Sequence, residues 1–349
     1  MTAPRPKAPA AGPPAGADEL SAADRAILTA IQANFPVQDR PFAVLAERLG
    51  MSEDAVTHAV RRLCQTGVIR RVGAVFDSRS LGFASTLVAA KVPPERLDQV
   101  AALISEHPGV THNYRREGRY NLWFTLTCPS QDELEQTLAD LRHRTGLAEI
   151  HSLPALTVYK IGVFFDLGRP VEQEDAAAPA HPAERAPAQV GKPVPPLSPE
   201  QKKLVQLLQD TLPLTPRPYE DLARHVGWTA QQALDQVTHW LEQGVIRRVG
   251  AVVNHRRLGF EANGMAVFEV APDRIDDVGR RLAETPEISH CYRRPPLPDW
   301  PYNLFAMVHG QGHDQVRRLV ADLAGRLSIP NFDVLFSTTE YKKQSMRYF

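Results

Sequence analysis

Apolar residues along this chain first recur at helical spacing and then alternate. Ile27, Leu28, Ile31 and Phe35 form one helical stripe, and Leu204, Val205 and Leu208 form another. Ser21 stands three residues before Asp24, and Ser198 three before Gln201, with Pro199 at the first helical position. Both are helix starts. A short second helix follows in "FAVLAERLG" and in "YEDLARHVG". A third carries Ala55, Val56, Ala59, Val60 and Leu63, or Leu234, Val237, Trp240 and Leu241. An extended "VIRRVGAV" then completes a winged helix-turn-helix pattern. After it the order becomes strand (84–92; 264–270), helix (94–106; 272–284), two strands (110–114 and 121–128; 288–292 and 303–309), helix (131–144; 314–326) and a closing strand (150–159; 332–341). That βαββαβ order predicts an antiparallel ferredoxin-like sheet with helices on one face, so the expected class is α+β.

The pattern is written twice. "GVIRRVGAVFDSRSLGF" from Gly67 returns as "GVIRRVGAVVNHRRLGF" from Gly244, thirteen of seventeen positions being identical at an offset of 177. "VTHNYRR" answers "ISHCYRR", and the offset reaches 182 where the second copy inserts "PPLPDWP" against "EGR". The period is far too long for a solenoid and marks a duplicated unit of ordinary domain-pair size. The expected division is a disordered tail at 1–17, winged helices at 18–76 and 198–253, and ferredoxin-like domains at 77–168 and 254–349. A Pro/Ala-rich linker at 169–197 is too poor in large apolar residues to offset its ordering entropy. The two copies are expected to pack on each other as an intramolecular pseudo-dimer.

Composition narrows the function. The chain is 43% hydrophobic with a formal net charge of zero, and no window approaches a membrane span. Its 3 cysteines lack metal-type spacing and suit a reducing cytoplasm. No phosphate loop, dinucleotide fingerprint or nucleophile elbow is present. The domain order resembles the Lrp/AsnC regulators, which implies a third helix that enters the DNA major groove. That helix opens with Ser52-Glu53-Asp54 in the first copy, and residues 228–243 contain no Lys or Arg. Without phosphate neutralisation, DNA binding loses its main driving term. A DNA partner is therefore disfavoured.

The strings "THNYRREGRYNLWFTL" and "SHCYRRPPLPDWPYNLFAMV", joined to "GVIRRVGAV", resemble the siroheme decarboxylases, in the fused form associated with heme d1 biosynthesis. The resemblance implies loss of carbon dioxide from two acetate side chains of siroheme, giving didecarboxysiroheme. It implies no cofactor beyond the iron of the substrate, and other heme d1 pathway proteins as candidate partners. An Lrp/AsnC-type regulator and a tetrapyrrole carrier or sensor without turnover are the alternatives.

The residues make sense of that implication. A macrocycle rimmed with carboxylates calls for guanidinium forks. Candidates are Arg70, Arg71, Arg115 and Arg116, with Arg247, Arg248, Arg293 and Arg294 in the second copy. Adjacent arginines on a strand point to opposite faces, so half of the eight are expected to meet solvent or an acid instead. Tyr120, Asn121, Tyr292 and Asn303 belong to the same strings. Trp123 either packs against the other copy or forms a ring platform, and Trp300 either covers a pocket edge or anchors its loop. His112 and His290, each two residues before a tyrosine (Tyr114, Tyr292), are candidate general acids, substrate contacts or ligands of the substrate iron. His151 has Asp333 as its counterpart, and an aspartate would repel carboxylates. The expectation is one productive pocket on the first copy, with His112, His151 and Tyr114 catalytic.

Overall fold

The computed structural model describes residues 20–162, 195–254, 262–297 and 299–349. The tail expected at 1–17 and nearly all of the linker expected at 169–197 lie outside the described residues. The first copy runs α1 (Ala22–Ala33), α2 (Pro41–Leu49), α3 (Glu53–Gln65), β1 (Ile69–Phe76), β2 (Ala84–Ala90), α4 (Leu97–Glu106), β3 (Val110–Arg116), β4 (Leu122–Cys128), α5 (Gln131–Thr145), β5 (Ile150–Leu153) and β6 (Thr157–Ile161). The second runs α6 (Pro199–Leu208), α7 (Pro218–Val226), α8 (Ala230–Glu242), β7 (Ile246–Val253), β8 (Ala262–Phe268), α9 (Ile275–Ala283), β9 (Ile288–Arg293), β10 (Leu304–Gly310), α10 (His313–Arg326) and β11 (Phe332–Lys343). Among the described residues no helix is long and apolar enough to cross a membrane.

The helix starts arise from local chemistry. Ser21 and Asp24 form a capping box on α1, and Ser198 and Gln201 form one on α6. Each side chain satisfies a backbone N–H that the first helical turn leaves over. The α2 and α7 helices end on Gly50 and Gly227, whose φ values of 63° and 71° suit glycine.

The two winged helices share one core. Ile27, Leu28, Phe42 and Val60 of the first copy pack in the same apolar cluster as Leu204, Tyr219, Val237 and Trp240 of the second. Strands β1 and β7 pair antiparallel with Gly73 opposite Gly250. A Cβ on Gly73 would lie 2.4 Å from the Asp210 carbonyl oxygen, and one on Gly250 would lie 2.7 Å from that of Ile31. Glycine in both copies of "VGAV" lets each wing press against the first helix of the other copy. The Phe35 N–H donates to Val249 (3.1 Å) and the Leu212 N–H to Val72 (2.7 Å), which closes the same crossed contact.

The closing segment of each repeat pairs within its own sheet, as expected, and then crosses to the other copy. β5 pairs with β2, but β6 leaves to pair with β9 of the second copy. β11 pairs with β8 over Phe332–Phe336 and with β3 of the first copy over Ser337–Lys343. The full order is β5-β2-β4-β3-β11-β8-β10-β9-β6. Helices α4 and α5 cover the outer face of the first half, and α9 and α10 that of the second. Between the inner faces lies a further core of Ala89, Trp123, Leu153, Met265, Val267, Phe305 and Leu335. The copies thus form the expected pseudo-dimer, with exchanged edges. Past β11 the chain ties back to the helical layer, where the Tyr348 hydroxyl bonds Ser78 Oγ (2.7 Å) and the Tyr348 N–H donates to Gln209 (2.8 Å).

Candidate active site

Strand alternation builds the site. On β3, His112, Tyr114 and Arg116 share the inner face, Tyr114 lying opposite Trp123 of β4. On β9 His290 and Tyr292 do the same, with Arg294 just past its end, Tyr292 lying opposite Phe305 of β10. One half of the space between the sheets is an aromatic wall. Trp123 is 1% exposed, with its ring 5.3 Å from Trp300 and 6.4 Å from Phe305. Its indole N–H donates to the Tyr120 carbonyl at 2.7 Å. Of the two roles open to it, the structure shows packing against the other copy. Trp300 is buried in the same wall, 6.0 Å from Tyr120 and 4.9 Å from Tyr302. The Tyr120 hydroxyl donates to Asp299 (2.9 Å); burial and that bond push its pKa up to about 12.

The other half is cationic. His112 lies opposite Lys343 of β11, and burial, then the charges of Lys343 and Arg70, lower its pKa to about 4. Burial lowers that of His290 to about 3, reinforced by His309, Arg247, His112 and Lys160. The two histidines therefore share one electrostatic neighbourhood, and both imidazoles are neutral near pH 7. His112 Nδ1 bonds Thr111 Oγ1 at 3.0 Å. His290 Nδ1 bonds Ser289 Oγ at 2.8 Å, and Ser289 Oγ bonds His309 Nε2 at 2.7 Å. Arg247 is paired with Asp77. The residue equivalent to Asp77 is Asn254, and the exposed Arg70 has no ion pair among the described residues.

Several candidates do structural work instead. Arg71 donates to Ala74 O (2.9 Å), and Arg248 donates to Gln32 O (3.0 Å) and Ala251 O (3.3 Å). Arg116 donates to Leu335 O (2.6 Å) and Arg294 to Leu153 O, each guanidinium lying over the tyrosine two residues before it. These four arginines thus cap backbone carbonyls rather than facing solvent. Asn121 takes the Val92 N–H (2.9 Å) and donates to the Val92 carbonyl (2.8 Å). Asn303 holds Val270 the same way, at 3.0 and 2.7 Å. Both clamp the loop after the first strand of their sheet. Arg115 is exposed, and Arg293 is half-buried beside Thr157 of β6.

His151 is the clearest misplacement. It sits on β5, in the row His151–Ala89–Trp123–Tyr114, three strand spacings from β3. At the usual spacing that is about 14 Å, so His112 and His151 do not converge. Its ring lies 5.5 Å from Tyr120, at the aromatic end. The residues missed are Ser289, His309 and Lys343. His309 was legible only as a departure from the repeat, since its counterpart is Thr127.

Comparisons with known proteins match the domain order and the fold. Residues 24–70 and 201–247 match the siroheme decarboxylase NirDL-like HTH domain, and 80–160 and 257–342 match the AsnC-like ligand binding domain. A siroheme decarboxylase of Hydrogenobacter thermophilus is 35% identical over 93% of this chain and 94% of its own length. A siroheme decarboxylase NirDL subunit of Paracoccus denitrificans is 34% identical over 92% of this chain and 95% of its own. The crystal structure of the siroheme decarboxylase NirDL superposes with a TM-score of 0.72 at 31% identity, covering 94% of each chain. A second structure of that enzyme, in co-complex with an iron-uroporphyrin III analogue, superposes at 0.71. With both winged helices, both sheets and nearly the whole length matched, the chain belongs to the siroheme decarboxylase family, in its fused two-copy form.

Proposed function

We propose that this chain decarboxylates siroheme at one composite site between its two sheets. The observation that carries this is His112, opposite Lys343, on an inner face that also bears an aromatic wall built by both copies. A flat macrocycle rimmed with carboxylates fits that division. Arg70 and Lys343 supply charge for the carboxylates, and a neutral imidazole, His112 or His290, can ligate the substrate iron. When carbon dioxide leaves an acetate side chain, the electron pair stays on the methylene carbon and spreads into the macrocycle. A proton then converts that carbon to a methyl group. The macrocycle is its own electron sink, so the reading needs no resident cofactor. Two such losses give didecarboxysiroheme, for use by other heme d1 pathway enzymes in a reducing cytoplasm. The three cysteines, all free thiols, suit that compartment.

Arg70 marks where the first carboxylate is held. Its counterpart Arg247 is already neutralised by Asp77, whereas Arg70 meets no acid among the described residues. Anaerobic incubation of the full chain with siroheme is expected to show two successive losses of carbon dioxide by mass spectrometry of the tetrapyrrole. Siroheme recovered bound but unchanged would overturn turnover in favour of a carrier.

A further inference from the structure

Each carboxylate lost as carbon dioxide consumes one proton, because R–CH2–CO2⁻ plus H⁺ becomes R–CH3 plus CO2. An enclosed site must therefore import a proton for every cycle. The second copy holds a chain of three polar side chains that the first lacks. Ser289 Oγ lies 2.7 Å from His309 Nε2 and 2.8 Å from His290 Nδ1. Local backbone irregularity makes this possible. Between β9 and β10 the register shifts, so that Ile288 faces Val308 and His290 faces Met307, leaving Ser289 as the extra residue of a bulge. In a regular strand neighbours 289 and 290 would point to opposite faces, and a bulge re-aims one of them. The first copy keeps the bulge at Thr111 and its bond to His112, but there the chain stops: Thr127, the counterpart of His309, bonds Ser85 instead (2.9 Å).

We infer that His309 and Ser289 form a proton relay serving His290, which makes His290 the proton donor to the substrate carbon and His309 a positioning and relay residue. This rests on the decarboxylation proposed above. The bond to Ser289 occupies Nδ1 of His290 and leaves Nε2 as the donor nitrogen. The Nε2–H of His290 passes its proton to the methylene carbon. The Ser289 hydroxyl gives its proton to His290 Nδ1 and takes one from His309 Nε2. His309 then recovers a proton at Nδ1, a nitrogen buried in the folded protein that solvent reaches when the half-buried ring turns outward. Every imidazole in the chain is neutral before and after the step, each exchanging one ring proton for another along the bonds of Ser289 Oγ. The division of labour is thus asymmetric in a way the repeat conceals. The first copy brings the unpaired charge of Arg70, and the second brings the proton.

The test compares siroheme affinity, by optical titration, with single-turnover decarboxylation in H2O and D2O under anaerobic conditions. Ser289→Ala and His309→Gln are expected to bind siroheme within about twofold of wild type but to turn over about 10²-fold more slowly, with a larger solvent isotope effect. Ser289→Thr, which restores the hydroxyl in the form the first copy uses, is expected to recover most of the rate. Thr127→Val, at the His309 counterpart, is expected to leave turnover unchanged. Wild-type rates in Ser289→Ala and His309→Gln, or a loss that only tracks affinity and is not recovered by Ser289→Thr, would overturn the relay alone. Wild-type protein that leaves siroheme intact would overturn the decarboxylase reading itself.

Discussion

One peptide bond separates Arg70 from Arg71, and a register shift that leaves Arg70 as the extra residue of β1 lets their guanidiniums take different duties. Arg71 is spent on its own strand, donating to Ala74 O, and burial lowers its pKa. Arg70 is exposed and adds its charge to the surroundings of His112. Substituting each tests the division. Arg70→Ala is expected to weaken siroheme binding about tenfold, the scale of one charge-assisted hydrogen bond, with the melting temperature unchanged. Arg71→Ala is expected to cost roughly 1–3 kcal/mol of stability, because it leaves a half-buried carbonyl without its donor. Optical titration and thermal melting of the same two proteins separate these outcomes. The reverse pattern would show that the strand faces have been assigned the wrong way round.

At the scale of elements, the last strand of each repeat holds the molecule together. β11 begins on β8 of its own copy and ends on β3 of the other, while β6 pairs throughout with β9 of the other, so each half of the sheet takes a strand from the other copy. Side chains lock the exchange: the Tyr159 hydroxyl donates to Asp276 on α9, and the Tyr341 hydroxyl donates to Asp98 on α4. Separating the halves would uncover two edges and the aromatic wall together, exposing unpaired backbone groups beside apolar surface. A protease site engineered anywhere between residues 163 and 194 is therefore expected to yield two fragments that co-elute on gel filtration and keep siroheme binding. Elution as two separate monomers would show that the exchanged strands contribute little to association.

For the whole molecule, three imidazoles titrate together at the meeting of the copies. Burial lowers His112 and His309 to about 4 and His290 to about 3, while an unfolded histidine titrates near pH 6.5. The folded state thus binds fewer protons than the unfolded state between those limits, so stability rises with pH there. The contribution is fully present above about pH 6.5 and is lost as pH falls toward 4. Thermal melts from pH 7 to pH 4.5 are expected to show a falling midpoint, and His290→Gln a shallower fall. Bound siroheme is expected to oppose this loss, because its carboxylates favour the imidazolium forms. A melting temperature flat across that range would show that these imidazoles are solvated in the folded protein.

The sequence by itself determined the local periodicities and whatever depends on them. The capping boxes, the α+β order and the shared face of His112 with Tyr114 and of His290 with Tyr292 follow from spacings of two to four residues, and the duplication from a repeat at an offset of 177. The motifs carried the family as well. Only the tertiary structure decided which charged groups meet. An edge strand offers the same N–H and C=O groups to any partner, so nothing local shows that β11 crosses to β3 and brings Lys343 opposite His112. A bulge is a feature of a pair of strands, invisible in either alone, and without it Ser289 reads as facing away from His290. His151 shows the converse. The sequence marked it as an asymmetry between the copies, but sheet order places it three strands from His112, at the aromatic end. Asn121 and Asn303 looked like contacts because they sit inside the matched motifs, but they occur in both copies because both loops need the same backbone clamp.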